Sequence, residues 1–165
     1  MSDFQQEVKD RLAANARDER LKSDAAAFMR SSIAGQYSYN FSWLGRPIIQ
    51  YPQDMVAMQE LNAACGGPQD ASVLGVDIDI RPHNRQAIEA HPLFRRVEMI
   101  QGSSVDPDVV AQVVRRASGK NRILVCLDSN HTHAHVLAEL KAYAPLVTVG
   151  SYCVVFDTVI EDLPA

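Results

Sequence analysis

Residues 123–137, ILVCLDSNHTHAHVL, limit the folds open to this chain more than any other stretch. The opening apolar run suits a strand buried on both faces. It ends at Asp128, crosses a short polar turn and enters a helical pattern. In open parallel α/β sheets ligands sit outside the carboxyl ends of the strands. A strand–Asp–turn–helix unit therefore places Asp128 and the neighbouring histidines where chemistry would occur.

The rest of the chain repeats that plan. Residues 4–29 are rich in Ala, Arg, Glu and Lys, with Phe4, Val8 and Leu12 on one stripe. They predict an amphipathic leading helix that serves packing or an oligomer surface. Residues 37–52 read as a loop dense in aromatics, suited to lining a pocket mouth or to covering a sheet. Asp54 reads as the N-cap of a helix through Met55, Met58 and Leu61, stopped at Gly66-Gly67-Pro68.

Residues 73–78 predict a short strand carrying Asp77 and Asp79, which period-two alternation would aim the same way. Asn84 reads as the cap of a short helix to Ala90, and His91-Pro92 stops it. Residues 97–100 predict another strand, followed by the small-residue turn Gly102-Ser103-Ser104. Pro107 suits the first turn of a helix through Val110, Val113 and Val114 that Gly119 ends. After the central unit, an apolar run over residues 146–156 leads to Asp157-Thr158. Strands alternating with helices at this rhythm predict a βαβ series: an α/β fold with a mostly parallel sheet and flanking helices. The polar clusters at Asp77/Asp79, Gly102-Ser103-Ser104, Asp128 and Asp157 all fall at strand exits.

Composition narrows the function classes. The 165 residues have the length of one domain, and the net charge of −4 comes without a basic block. A phosphate-neutralising surface for nucleic acid is not expected. Cys65, Cys126 and Cys153 are scattered, which predicts buried free thiols rather than a disulfide framework or a CxxC metal site. No apolar stretch is long enough to cross a bilayer, and the charged N-terminus has no hydrophobic signal core. The default expectation is a soluble, cytoplasmic protein.

The three alternating histidines suggest zinc, but three ligands from one helix cannot close a tetrahedral site. His133 aligns with Val136, Leu137 and Leu140 and reads as a structural or partly buried residue. His131, in the turn after Asp128, suits a titrating base. Asp128 and Asp157, at the ends of neighbouring strands, suit a hard cation such as Mg²⁺. Each alternatively caps the element that follows it. Asp77 suits a ribose-binding carboxylate, or else an ordinary turn carboxylate.

Taken together, Val76-Asp77-Ile78-Asp79-Ile80-Arg81-Pro82-His83-Asn84-Arg85, Gln101-Gly102-Ser103-Ser104, Leu127-Asp128-Ser129-Asn130-His131-Thr132-His133 and Gly150-Ser151-Tyr152-Cys153-Val154-Val155-Phe156-Asp157-Thr158 resemble the cephalosporin hydroxylase / rhamnosyl O-methyltransferase family. The resemblance implies a Rossmann-like class I methyltransferase fold, S-adenosylmethionine and Mg²⁺ as cofactors, and a small-molecule or glycan acceptor. It implies that Asp77, Asp79, Gly102, Ser103 and Ser104 bind the cofactor. It further implies that Asp128, Asp157 and Thr158 hold the metal, and that His131 is the base. Residues 1–52 would be an N-terminal helix and aromatic cap, and residues 53–165 the methyltransferase domain.

That domain would be incomplete. The family's first strand and its acidic glycine loop belong between the helix ending near Cys65 and the strand at Val73. Only residues 66–72 fill that interval, too few for a parallel strand with its crossover. The family also continues with further sheet beyond Asp157-Thr158. These departures leave two alternatives beside the methyltransferase: an impaired remnant that folds and homo-oligomerises through an unpaired sheet edge, and a metal hydrolase using Asp128 and the histidines.

Overall fold

The computed structural model describes residues 3–64 and 71–158. The expected stop at Gly66-Gly67-Pro68 and the Cys65 thiol lie outside the described residues. The chain divides into two compact units, Met1–Val56 and Ala57–Ala165.

In the first unit the leading helix is two helices, α1 (Asp3–Asn15) and α2 (Glu19–Ala34). Asp18 breaks the run because its carboxylate accepts from the backbone N–H groups of Arg20 and Leu21, both at 3.0 Å. That satisfies two donors a new helix start would otherwise leave unpaired. The aromatic segment is no open loop. It folds into a 3₁₀ turn and an antiparallel hairpin, β1 (Phe41–Trp43) and β2 (Arg46–Ile48). Leu44 and Gly45, both at positive φ, make the two-residue turn that matches strand twist. Tyr37 stacks edge-on against Phe28 of α2 and Phe41 of β1, at 5.6 and 5.1 Å between centroids. The aromatics thus tie the hairpin to α2.

α3 (Pro52–Ala64) begins at its proline, so Asp54 lies in the first turn and is not the cap. The ring presets the first helical φ and carries no N–H to satisfy. The same correction applies to α4 (Pro82–Glu89), where Arg81 precedes Pro82 and Asn84 falls inside the helix.

The second unit is an α/β arrangement running β3 (Val73–Asp77), α4, β4 (Val97–Gln101), α5 (Pro107–Ala117), β5 (Val125–Leu127), α6 (His133–Tyr143) and β6 (Cys153–Val155). β3 pairs parallel with β4, and β5 pairs parallel with β6. Among the described residues no ladder joins the two pairs, so the single mostly parallel sheet is realised as two parallel ribbons. The buried apolar side chains Ile80, Ile100, Val109, Leu127 and Tyr143 all lie in this unit.

Within the apolar run at 146–156 only β6 is a strand: the run opens in a 3₁₀ turn, leaves Val149 fully exposed and bends at Gly150 with φ 79° before β6. At Thr148 the Oγ1 accepts from Ile123 N at 3.0 Å while the backbone N donates to the Ile123 carbonyl at 3.5 Å. Cys126 is exposed, not buried, and Cys153 is half-buried. A three-residue strand paired with one neighbour leaves its outward side chain open.

Candidate functional site

The exits of the two ribbons carry the polar residues. At the end of β3, the Asp77 carboxylate accepts from Asp79 N at 2.8 Å, turning the chain out of the strand. Asp79 therefore lies past the strand and does not share Asp77's register; its carboxylate faces Arg81 at 3.6 Å. The Asp77 carbonyl accepts from Gly102 N at 2.9 Å, so the turn after β4 sits beside the exit of β3. Gly102 has φ 155°, and a Cβ there would lie 2.7 Å from Val109 Cγ2. Any larger residue there would force the Val109 side chain to shift.

Ser103 and Ser104 follow, both half-buried. Ser104 is drawn toward α6: its Oγ lies 3.0 Å from His135 Nε2, and its carbonyl accepts from the Tyr143 hydroxyl. Asp106 then caps α5, accepting from Asp108 N at 2.8 Å and Val109 N at 3.4 Å.

At the second ribbon, Asp128 leaves β5 and Asp157 leaves β6 two residues past the last paired position. His131 lies in the turn before α6, and its Nε2 stands 3.4 Å from Asp157 Oδ2. One ligand atom from each of Asp128, His131 and Asp157 lies within 4.8 Å of the other two. Asp157 is held at φ 53°, a left-handed conformation unusual for a residue other than glycine. Partial burial pushes the Asp128 carboxyl above the usual carboxylate range, Asp157's charge adds to this, and His131 opposes it. The two crowded carboxylates are oxygen donors that fit a hard divalent cation, which would relieve their repulsion, and the His131 imidazole stands beside them.

The histidines separate in role. His133 is exposed rather than partly buried, because α6 starts at that position. It joins His131, Val136, Leu137, Leu140, Val155, Phe156, Asp157 and Thr158 around a cleft of about 250 Å³. His135 points the other way, into a network with the buried Glu139, a residue the sequence reading did not single out. A charged residue on the apolar side of a predicted helix was the available signal.

A family model described as "Rhamnosyl O-methyltransferase/CmcI" matches residues 35–66 and 61–165. The chain belongs to this family. The two matched stretches meet at residues 61–66, next to the interval where the first strand and its glycine loop were expected. Among curated proteins, the rhamnosyl O-methyltransferase of Mycobacterium bovis (strain BCG / Pasteur 1173P2) is 39% identical over 69 residues, covering 41% of this chain and 28% of that protein. The one from Mycobacterium tuberculosis (strain ATCC 25618 / H37Rv) matches with the same figures. The rhamnosyl O-methyltransferase of Mycobacterium leprae is 35% identical over 98 residues, covering 58% of this chain and 40% of that protein. The chain thus spans well under half the length of these relatives. No solved structure matches.

Proposed function

We propose that this family member acts as an S-adenosylmethionine-dependent, Mg²⁺-assisted O-methyltransferase on a small-molecule or sugar hydroxyl. The observation that carries the reading is the meeting of Asp128, His131 and Asp157 at the exits of two paired parallel strands. A class I, Rossmann-like arrangement accounts for the strand–helix order, with residues 1–52 as a cap and 53–165 as the catalytic domain.

Asp77, at the exit of β3, accepts hydrogen bonds from ribose hydroxyls, with Asp79 extending the acidic lip. Gly102 and Ser103 let the backbone approach the adenine, while Ser104 anchors their turn to α6. S-adenosylmethionine, when bound, would supply an electrophilic methyl, its sulfonium leaving as the thioether of S-adenosylhomocysteine. Asp128 and Asp157, with Thr158 beside them, would hold Mg²⁺, which would supply positive charge to lower the pKa of the acceptor hydroxyl. His131 takes the hydroxyl proton as general base. Val136, Leu140, Val155 and Phe156 offer an apolar wall beside His131, suited to the less polar face of a sugar such as the rhamnosyl unit named for the relatives.

The protein is proposed to act in the cytoplasm. No described helix is long and apolar enough to cross a membrane. The unjoined ribbons leave strand edges that favour a homo-oligomer.

A second reading draws on the same unjoined ribbons and on the short interval before β3. It holds that the chain is an impaired remnant of the family, folded and oligomerising without turnover. Titration calorimetry with S-adenosylmethionine and S-adenosylhomocysteine, with and without Mg²⁺, separates the two. Micromolar cofactor affinity supports the enzyme, and absence of heat from well-folded protein supports the remnant. Zinc-dependent hydrolysis indifferent to the cofactor would favour a metal hydrolase instead.

A further inference from the structure

Glu139 is the most deeply buried charged residue described, 2% exposed, in the middle of α6. Burying a carboxylate is costly unless its oxygens are satisfied. Only one of them is. Oε1 accepts from Ser129 Oγ at 2.6 Å and faces His135 Nε2 at 3.7 Å, while Oε2 has no hydrogen-bond partner. Replacement by an apolar residue of similar size would remove that cost, so packing alone does not account for a glutamate here.

What the carboxylate touches suggests its use. Ser129 immediately follows Asp128 in the turn after β5. His135, one helical turn before Glu139, meets Ser104 Oγ at 3.0 Å in the turn after β4. One face of α6 therefore grips both strand-exit turns, although among the described residues no ladder joins the ribbons that carry them. We propose that Glu139 is a positioning residue that, through Ser129 and through His135 and Ser104, holds the turn bearing Asp128 and the turn bearing Gly102 at one fixed separation. On the methyltransferase reading, on which this role rests, that separation sets the distance between the cofactor and the cation-bound hydroxyl. Positioning at that level governs the chemical step more than ligand affinity.

Glu139→Gln keeps the side-chain volume and an oxygen for Ser129 but removes the charge facing His135. The ligand-free readout is the amide ¹H–¹⁵N spectrum. Glu139→Gln should shift the amides of both turns, at 102–104 and at 128–130, together. Ser129→Ala, which removes only one arm, should also reach the 102–104 amides. Shifts confined to the 128–130 turn in both variants would overturn the proposal. Where the wild type turns over, kcat of Glu139→Gln should fall about 10- to 100-fold with little change in KM for S-adenosylmethionine. Lower thermal stability with unchanged kcat per folded molecule would mark a merely structural role and also overturn it. A wild type that neither binds the cofactor nor turns over would sink the methyltransferase reading, while the amide shifts would still decide whether Glu139 couples the turns.

Discussion

His131 Nε2 stands 3.4 Å from Asp157 Oδ2, although the two residues leave different strands. The parallel pairing of β5 with β6 makes this meeting: Leu127 lies opposite Val155, so the chain leaves both strands at one level. The Leu127 carbonyl accepts from Phe156 N at 2.9 Å and carries the ladder one step beyond the last paired residue. Asp128 and Asp157 then emerge side by side.

That crowding has a pH signature in metal-free protein. Asp128 titrates above the usual carboxylate range, first through partial burial and second through Asp157. Its folded pKa exceeds its unfolded one, so between the two values the folded state binds more protons. Stability therefore falls as pH rises through that window. Asp157→Asn should move the Asp128 midpoint down and flatten the fall. Carboxyl-detected NMR titration, with urea midpoints at several pH values, checks both. An unmoved midpoint would mean the carboxylates do not interact.

Loss of a cation ligand should separate chemistry from cofactor binding. Asp128→Asn is expected to lower turnover at least about 100-fold while S-adenosylmethionine affinity stays nearly unchanged. His131→Ala is expected to flatten the acidic limb of the pH–rate profile. Steady-state kinetics across pH and cofactor calorimetry read both, and equal turnover in Asp128→Asn would remove the metal role.

Gly102 offers a test of the other turn. Its missing Cβ would press on Val109 Cγ2, so Gly102→Ala should destabilise the protein by roughly 1–3 kcal/mol. In a Val109→Ala background part of that cost should disappear. Urea denaturation of the two single variants and the double variant gives the coupling directly.

The start of α5 is set by one carboxylate. Asp106→Ala removes the acceptor for two backbone N–H groups and should cost about 1 kcal/mol. Asp106→Asn should recover most of it. Thermal or urea midpoints of the pair decide whether the oxygen or its charge matters.

The residues themselves determined the alternation of strands and helices and the strand exits at Asp77, Gly102, Asp128 and Asp157, because period and turn chemistry are local. They also determined the family, through motifs spread over most of the chain. Asp54 and Asn84 resemble helix caps in the sequence, yet each helix starts earlier, at Pro52 and Pro82, because a proline at the first helical position needs no side-chain cap. What sequence could not give is which side chains meet. The approach of His131 to Asp157, the turn of Asp79 out of register, the division into two ribbons and the grip of Glu139 on both turns arise from strand pairing and helix packing. Those contacts join positions far apart along the chain, and no local pattern encodes their distance.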